Sequence, residues 1–444
     1  MGRGGRLADG QIVSQHFAII GAGAGGLAAA KYFSAKGIET SIFECGSQIG
    51  GLWVYDNDSG MSPAYRSLHI NSEAMASSFI DFPFPPNAPL YPDHGEMSRY
   101  FRRYADHFDL ARRVRFRSRV MAVEPIDGRF RIELDNGASE TFDGVVVATG
   151  HQSVPRHPPQ ISEFTGTYTH AHGYRVPEPY AGKRVLVIGP GNSGVDIAAD
   201  ICAVTEHTVL SARSPVLIMP RMMFGVPNSR TLSKLEKPFL PWRLRVWIRT
   251  RMTAMFHGRM EQWGFSTPRK RTHPISHPTL ISQIAWGRIA VKPGIAGVEG
   301  DRITFTDGSA DRFDAIIAAT GYNTAIPFLA DDISPVESAT THVALYNRVA
   351  HPRVDGLYFI GYFDVTGGSN IRMMDDQAEY IAAMVSGAVR RPPPAEMLAA
   401  IETERAWAAS QFPDTPRYGL ELDPRRYRKR LAVDYARSKV KRSA

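Results

Sequence analysis

Two glycine runs in this chain have the spacing that lets a backbone wrap a pyrophosphate. The first, Gly21-Ala22-Gly23-Ala24-Gly25-Gly26, follows the apolar run His16-Phe17-Ala18-Ile19-Ile20 and precedes an alanine-rich stretch from Leu27 to Phe33. Strand, tight turn and helix in that order form a dinucleotide-binding arrangement. Gly21 permits the sharp turn, Gly23 lets the backbone approach the phosphates, and Gly26 lets the helix pack closely on the strand, with the phosphates at its positive end. Glu44 ends the next strand, Ser41-Ile42-Phe43, about 20 residues past the glycines, where it would accept ribose hydroxyls. A carboxylate there repels a 2′-phosphate, so this site predicts FAD or NAD and excludes NADP.

The same grammar returns at Arg184-Val185-Leu186-Val187-Ile188, then Gly189-Pro190-Gly191-Asn192-Ser193-Gly194, then a helical stretch from Val195 to Asp200. Here the next strand, Thr208-Val209-Leu210, runs into Ser211-Ala212-Arg213. A hydroxyl and a guanidinium now stand where the first unit has its acid, and that exchange selects a 2′-phosphate and hence NADPH. Arg221 reads either as a further member of this pocket or as an ordinary surface arginine.

Two sites of opposite preference imply hydride transfer from NADPH to a flavin, which must then pass its electrons on. The chain has two cysteines, Cys45 and Cys202, far apart and without C-x-x-C or metal-ligand spacing, which excludes a dithiol redox centre and a disulfide scaffold. Dioxygen is the leading acceptor, with a quinone or a partner protein as alternatives. The formal net charge of +8 favours anionic ligands, but no nucleic-acid reading element accompanies it. No apolar run approaches the roughly 20 residues needed to span a bilayer. The opening MGRGGRLADG lacks the apolar core of a signal peptide, so a soluble, cytoplasmic protein is expected.

Further runs define the elements that must position these residues. Val145-Val146-Val147 before Ala148-Thr149-Gly150, and Ile316-Ile317-Ala318 before Ala319-Thr320-Gly321-Tyr322, read as returning strands that close each unit. The expected fold is α/β, with two Rossmann-like dinucleotide-binding domains and the NADPH domain inserted into the FAD domain. The parse is 13–154 for the first part of the FAD domain, 155–312 for the NADPH domain with a helical insertion at about 222–275, and 313–444 for the rest, ending in a basic tail from Arg425 to Lys441. Phe239 to Met260 interleaves Trp242, Leu244, Trp247 and Met255 with Arg243, Arg245, Arg249 and Arg251, which predicts a basic amphipathic helix. A structural or lid role is favoured for it over membrane or subunit contact. The oligomeric state is left open, a homodimer included.

Between the glycine runs, Phe164-Thr165-Gly166-Thr167-Tyr168-Thr169-His170-Ala171-His172-Gly173-Tyr174 matches F-x-G-x-x-x-H-x-x-x-Y. With Phe43-Glu44, Gly50-Gly51-Leu52-Trp53, Asn71 followed by Asp81-Phe82-Pro83-Phe84-Pro85, and Ala319-Thr320-Gly321-Tyr322, the chain resembles the flavin-containing monooxygenases from about Phe17 to Gln377. The related Baeyer–Villiger enzymes usually end the fingerprint in tryptophan where this chain has Tyr174. The resemblance implies FAD, NADPH and O2, with a C4a-hydroperoxyflavin that passes one oxygen to a sulfide or amine of a small apolar molecule. Ketone oxygenation and electron transfer to a quinone or protein stay open as alternatives. The resemblance also implies Asn71 at the reacting carbon and Gly51, Leu52 and Trp53 along the flavin. It makes Gln377 a flavin contact near the start of a helix opening at Asp375, and gives the His170 to Tyr174 fingerprint a role in linking the domains, with His170 in a structural hydrogen bond.

Overall fold

The computed structural model describes residues 15–440 apart from 236, 238, 274, 338–341, 414, 416 and 417. Residues 13 and 14 of the expected first domain, and the end of the tail from Lys441 on, lie outside that range. Short apolar runs such as Phe-Ala-Ile-Ile and Gly-Val-Val-Val suit a parallel sheet covered on both faces, where period-two alternation is lost. They become a five-stranded parallel sheet in which Leu357–Phe359, Gly144–Val147, His16–Ile20, Glu39–Phe43 and Val114–Arg115 lie side by side. The helix Ala24–Ser34 and the helix Asn370–Val385 cover it, with Leu27, Ala28, Phe33, Ile381 and Ala382 fully buried.

The second sheet repeats the plan with Ile289–Lys292, His207–Ser211, Arg184–Ile188, Ala315–Ala318 and Thr167–His170. This moves the expected boundary after residue 312. Ala315–Ala318 pairs with Arg184–Ile188 on one side and Thr167–His170 on the other, so the second unit keeps its returning strand. The chain leaves it at Tyr322–Asn323, which pairs antiparallel with Val154–Pro155, the segment by which it entered. Entry and exit therefore form one two-stranded ribbon.

Within the insertion lie the helices Asn228–Leu235 and Trp242–His257. The latter buries only Thr253 completely, and Trp247 and Met255 stand exposed. Its covered side is Trp242, Arg245, Val246, Arg249 and Thr250, a helical i, i+3, i+4, i+7, i+8 stripe of mixed polarity that faces a cavity. The expected basic tail is a helix, Pro424–Val440, docked on the helix Asn370–Val385. Tyr427 is buried there and donates to the Asn347 carbonyl at 2.8 Å. Buried Asp434 accepts from Tyr346 (2.7 Å), Tyr380 (2.6 Å) and the Asn347 amide (2.8 Å). The arginines add to these ties: Arg428 pairs with Asp376 (2.6 Å), and Arg426 (3.2 Å) and Arg430 (2.5 Å) pair with the buried Glu404.

Both glycine loops are built to one tolerance. A Cβ on Gly26 would stand 1.9 Å from the Gly21 oxygen, and one on Gly194 would stand 1.8 Å from the Gly189 oxygen. Gly26→Ala and Gly194→Ala should therefore each cost about 3 kcal/mol through forced displacement of the helix. Gly297→Ala, where no atom lies within 4 Å of the added Cβ, should stay within about 0.5 kcal/mol. Denaturant midpoints of the three variants check this.

Candidate active site

At the C-terminal ends of the central strands the two loops make the same turn. Gly21 has φ +107° and its added Cβ would meet the Ala148 oxygen at 2.7 Å, while Gly189 has φ +105° and would meet the Ala319 oxygen at 2.6 Å. Each Ala-Thr-Gly motif thus closes its own unit by pressing a carbonyl against the first glycine. Gly23 and Gly191 sit at the N-caps of the helices Ala24–Ser34 and Asn192–Ile201, and neither cap has a side-chain hydrogen bond. The first-turn N–H groups are left for an anion.

A cavity of about 1210 Å³ runs from the first loop past the second. Gly21, Gly23, Glu44, Gly51, Leu52, Trp53 and Asn71 line it, as do Asn192 and Ser193. Gly51 faces Gly23 so closely that a Cβ on it would stand 3.1 Å from Gly23 Cα. Glu44 accepts the Ala22 N–H at 2.9 Å and the Gly46 N–H at 2.8 Å, so it braces the loop and keeps lone pairs for ribose hydroxyls. Asn192 Oδ1 and Asn370 Oδ1, both in residues that line the cavity, are buried acceptors without a protein partner. Uncapped helix starts, a side-chain-free cradle and these acceptors suit two nucleotides.

Two expected contacts are engaged elsewhere, and a third, Arg213, stands exposed. Gln377 is fully buried and outside the cavity lining. Its Oε1 accepts the Gly361 N–H at 3.0 Å and its amide donates to the Arg348 carbonyl at 3.3 Å. It positions the Gly361 turn from behind the cavity wall. The helix opens at Asn370, five residues before Asp375, because Gly367 and Gly368 (φ +93° and +111°) turn the chain and release it there. Ser211 is buried and gives its proton to the Pro293 carbonyl at 2.7 Å, so it has none to donate to a phosphate. Arg213 is exposed, its stem packed where a Cβ on Gly294 would stand 3.1 Å from its Cγ.

Arg221 joins neither Ser211 nor bulk solvent. Its Nη2 donates to Asn71 Oδ1 at 3.1 Å, and its backbone carbonyl accepts the Tyr91 hydroxyl at 3.0 Å. Only the amide oxygen can accept from a guanidinium, so Asn71 presents its N–H groups elsewhere. The segment carrying Asn71 is tied to the second unit by two carboxylates one helical turn apart. Tyr65 donates to Asp196 at 2.9 Å, and Ser67 (2.8 Å) and Tyr174 (2.6 Å) donate to Asp200. The last residue of the fingerprint, Tyr174, shares Asp200 with Ser67 and meets the first unit through its edge-to-face contact with Tyr65 at 5.7 Å.

His170 Nδ1 accepts the His172 N–H at 3.0 Å, which leaves Nε2–H to donate to the Gly321 carbonyl at 3.1 Å. Burial holds its pKa down at about 4, a neutral structural histidine as expected. His277 Nδ1 likewise accepts the N–H groups of Thr279 and Leu280, and its Nε2 stands 3.4 Å from Asp196. The composition of the chain did not point to His151, which lines the cavity, donates to the Gly361 carbonyl at 3.0 Å and lies 3.5 Å from Asp364. Burial opposes its charge, and the Asp364 carboxylate outweighs burial, so its pKa rises. Its one sequence signal is its place directly after Ala148-Thr149-Gly150.

Burial, opposed by Arg221, pushes the Asp196 carboxyl up to about 6. Its ionised form is thus costlier folded than unfolded, and stability is lost as pH rises from the unfolded value, near 4, through about 6. Asp196→Asn keeps an acceptor for Tyr65 and removes the charge. It should raise stability at pH 8 by up to about 3 kcal/mol and leave it unchanged at pH values below about 4. Thermal melts across that range give the answer, and a gain independent of pH would refute it.

A model of the flavin-binding monooxygenase-like family matches residues 14–432. Flavin-containing monooxygenase 5 of Mus musculus is 31% identical over 438 residues, which cover 93% of this chain and 81% of that protein. Flavin-containing monooxygenase 1 of Homo sapiens is 29% identical over 428 residues, covering 90% and 79%. Among solved structures, S-allyl-L-cysteine S-oxygenase from Allium sativum matches with a TM-score of 0.71 at 26% identity, over 96% of this chain and 89% of that one. The open form of cyclohexanone monooxygenase shares the fold, with a TM-score of 0.70 at 18% identity over 95% and 98%. No helix among the described residues is long and apolar enough to cross a membrane. With two dinucleotide cradles opening on one cavity and a family match over nearly the whole chain, this protein belongs to the flavin-binding monooxygenases, oxidoreductases whose cofactors are FAD and NADPH.

Proposed function

We propose that this enzyme transfers one oxygen atom of O2 to a soft nucleophile, a sulfide or an amine, of a small molecule, with a cytoplasmic location as part of that reading. The observation that carries it is the placement of Asn71, a carboxamide on the cavity wall whose oxygen is occupied by Arg221 and whose N–H groups remain for the reaction centre. In this reading Gly21, Gly23, Gly26 and Glu44 hold the FAD pyrophosphate and ribose, with Gly51, Leu52 and Trp53 along the flavin. Gly189, Gly191, Asn192, Ser193 and Gly194 hold the NADPH pyrophosphate, and Arg213 alone takes the 2′-phosphate. The bound flavin, once reduced, supplies the oxygen activation. The chain's part is to hold both nucleotides against one cavity, to donate hydrogen bonds from Asn71, and to keep water out by the cover of the Trp242–His257 helix.

A second reading, oxygen insertion beside a ketone carbonyl, draws on Arg221. A guanidinium on the reaction-side asparagine could hold a negatively charged oxidant, as that chemistry requires. Product analysis with paired sulfide and ketone substrates separates the two.

Asn71→Ala should keep FAD bound and NADPH oxidation running while product formed per NADPH falls at least about tenfold and hydrogen peroxide rises to match. Intact coupling in that variant would remove Asn71 from the mechanism. Arg213→Ala should lower kcat/KM for NADPH by about 10- to 100-fold, the loss of one charged hydrogen bond, and hardly alter that for NADH. An unchanged preference between the two nucleotides would place the 2′-phosphate elsewhere.

A further inference from the structure

The Trp242–His257 helix has a second face. Its cavity stripe is Trp242, Arg245, Val246, Arg249 and Thr250. Half a turn around the helix, Leu244, Trp247, Arg251 and Met255 follow at i, i+3, i+7 and i+11, and all four stand exposed. Trp247 is 55% and Met255 70% exposed, far more than a helix needs to show when its only task is to cover a cavity.

A hairpin extends this face. Met222–Met223 pairs antiparallel with Val226–Pro227, and the turn between them is Phe224-Gly225, with φ +54° and +77°. Positive φ at both central residues favours Asn-Gly and strains a bulky side chain. Phe224 is 66% exposed, so burial does not offset the strain. Its ring meets Phe256 edge-on at 5.0 Å, which sets the hairpin tip beside the last turn of the helix and next to Met255. An exposed phenylalanine held in a strained turn points to a task outside the fold.

The charge around this face has one sign. From 222 to 260 the sequence carries eight lysines and arginines and one acid, Glu236. Arg230 is engaged by Glu73, Arg259 lies 3.7 Å from Glu261, and Arg245 and Arg249 belong to the cavity side. Lys234, Lys237, Arg243 and Arg251 are exposed and form no ion pair among the described residues. Arg243 and Arg251 instead lie over the rings of Trp242 (5.5 Å) and Trp247 (5.7 Å). The partner that completes such a face is anionic. Arg251 sits between Trp247 and Met255, so a second copy of the chain packed here would bury arginine against arginine. At a lipid headgroup layer the same side chain lays its stem along the acyl region and keeps its charge among phosphates.

We propose that the outer face of the Trp242–His257 helix, together with the Phe224 hairpin tip, docks this enzyme on an anionic lipid surface. The lid role expected for the helix and the dock are opposite faces of one element, so the two are compatible. The proposal goes beyond the oxygen-transfer reading and does not rest on it, since every readout below is a binding measurement.

The test is flotation of the FAD-loaded full chain with phosphatidylcholine vesicles, with and without about 30 mol% phosphatidylglycerol. Anionic vesicles should bind it at least about tenfold more tightly than neutral ones, and about 0.5 M NaCl should weaken that binding several-fold. Replacing Phe224, Trp247 and Met255 together by serine should lower the affinity at least about tenfold, with flavin absorbance and thermal midpoint retained. Arg251→Glu should lower it at least about fivefold, while Arg302→Glu, the same charge change at an exposed position of another sheet, should stay within about twofold. Lipids brominated in the acyl chains should quench tryptophan emission, and Trp247→Phe should remove most of that quenching. Absence of binding, equal binding to both vesicles, or binding that the serine variant retains overturns the proposal. So does an equal loss in Arg251→Glu and Arg302→Glu, which would reduce the effect to net charge. A dimer in analytical ultracentrifugation that the serine variant dissolves would assign the face to a second copy and overturn it as well.

Discussion

Two carboxylates on one face of the second unit's first helix, Asp196 and Asp200, hold the active-site architecture together. They accept the hydroxyls of Tyr65, Ser67 and Tyr174, and so fix residues 62–71 of the first unit against the helix that starts the second nucleotide site. Arg175 strengthens the seam from behind by donating to the carbonyls of Ser62, His172 and Tyr174. A hydrogen bond to a charged acceptor contributes about 1.5 to 3 kcal/mol, and the bonds of Tyr65 and Tyr174 are part-buried while that of Ser67 is exposed. The same two units also meet through the ribbon of Val154–Pro155 with Tyr322–Asn323 and through Arg221 on Asn71 and Arg230 on Glu73, so the stretch carrying Asn71 is held to the second unit at several points. The charge at Asp196 is costly, and the neutral His277 beside it does little to offset it. A seam that carries such a cost suits two bodies that must hold one geometry while each binds a nucleotide.

The second constraint is steric and occurs twice. A helix can start at a strand end and still leave room for a pyrophosphate only if backbone meets backbone, at Gly21 against Ala148 and at Gly189 against Ala319. The Ala-Thr-Gly motifs are therefore part of the cradle's frame. Buried glutamine extends the same logic to a third turn, for Gln377 spends both ends of its amide on the backbone of Gly361 and Arg348. Thr149 and Tyr362 pair across the same junction at 2.8 Å. Side chains that touch no ligand thus decide where ligand-facing backbone can lie.

Beyond these frames the protein provides little reactive machinery, and the chemistry of the family explains why. In the proposed reading the cofactor supplies the oxygen activation, and the chain supplies two nucleotide cradles, a donor near their junction and a cover over the cavity. The insertion between the second unit's strands contributes most of the cover. Its helix Trp242–His257 was expected to be amphipathic, but it turns a mixed stripe of tryptophan, valine and arginines toward the cavity and leaves Trp247 and Met255 exposed.

Sequence alone determined the two α/β units, their order, their nucleotide preferences and the family, because glycine loops, apolar strand runs and the acid at Glu44 report local backbone geometry, which neighbouring residues dictate. The resemblance carried by Asn71 and the following Asp81-Phe82-Pro83 singled out a residue that lines the cavity. Tertiary structure decided whatever depends on partners distant in the chain. Ile316-Ile317-Ala318 reads as the strand closing the second unit while the parse ends that unit at 312, and the pairing of Ala315–Ala318 with Arg184–Ile188 and Thr167–His170 places the strand inside it. Ser211 carries the right hydroxyl at the right strand end, yet Pro293, 82 residues on, takes its proton. Gln377 was expected at a helix start that lies a turn and a half earlier. Arg221 found Asn71 across 150 residues. Spacing along a chain fixes what a turn or helix presents; what that side chain meets is set by packing between segments, which leaves no local trace.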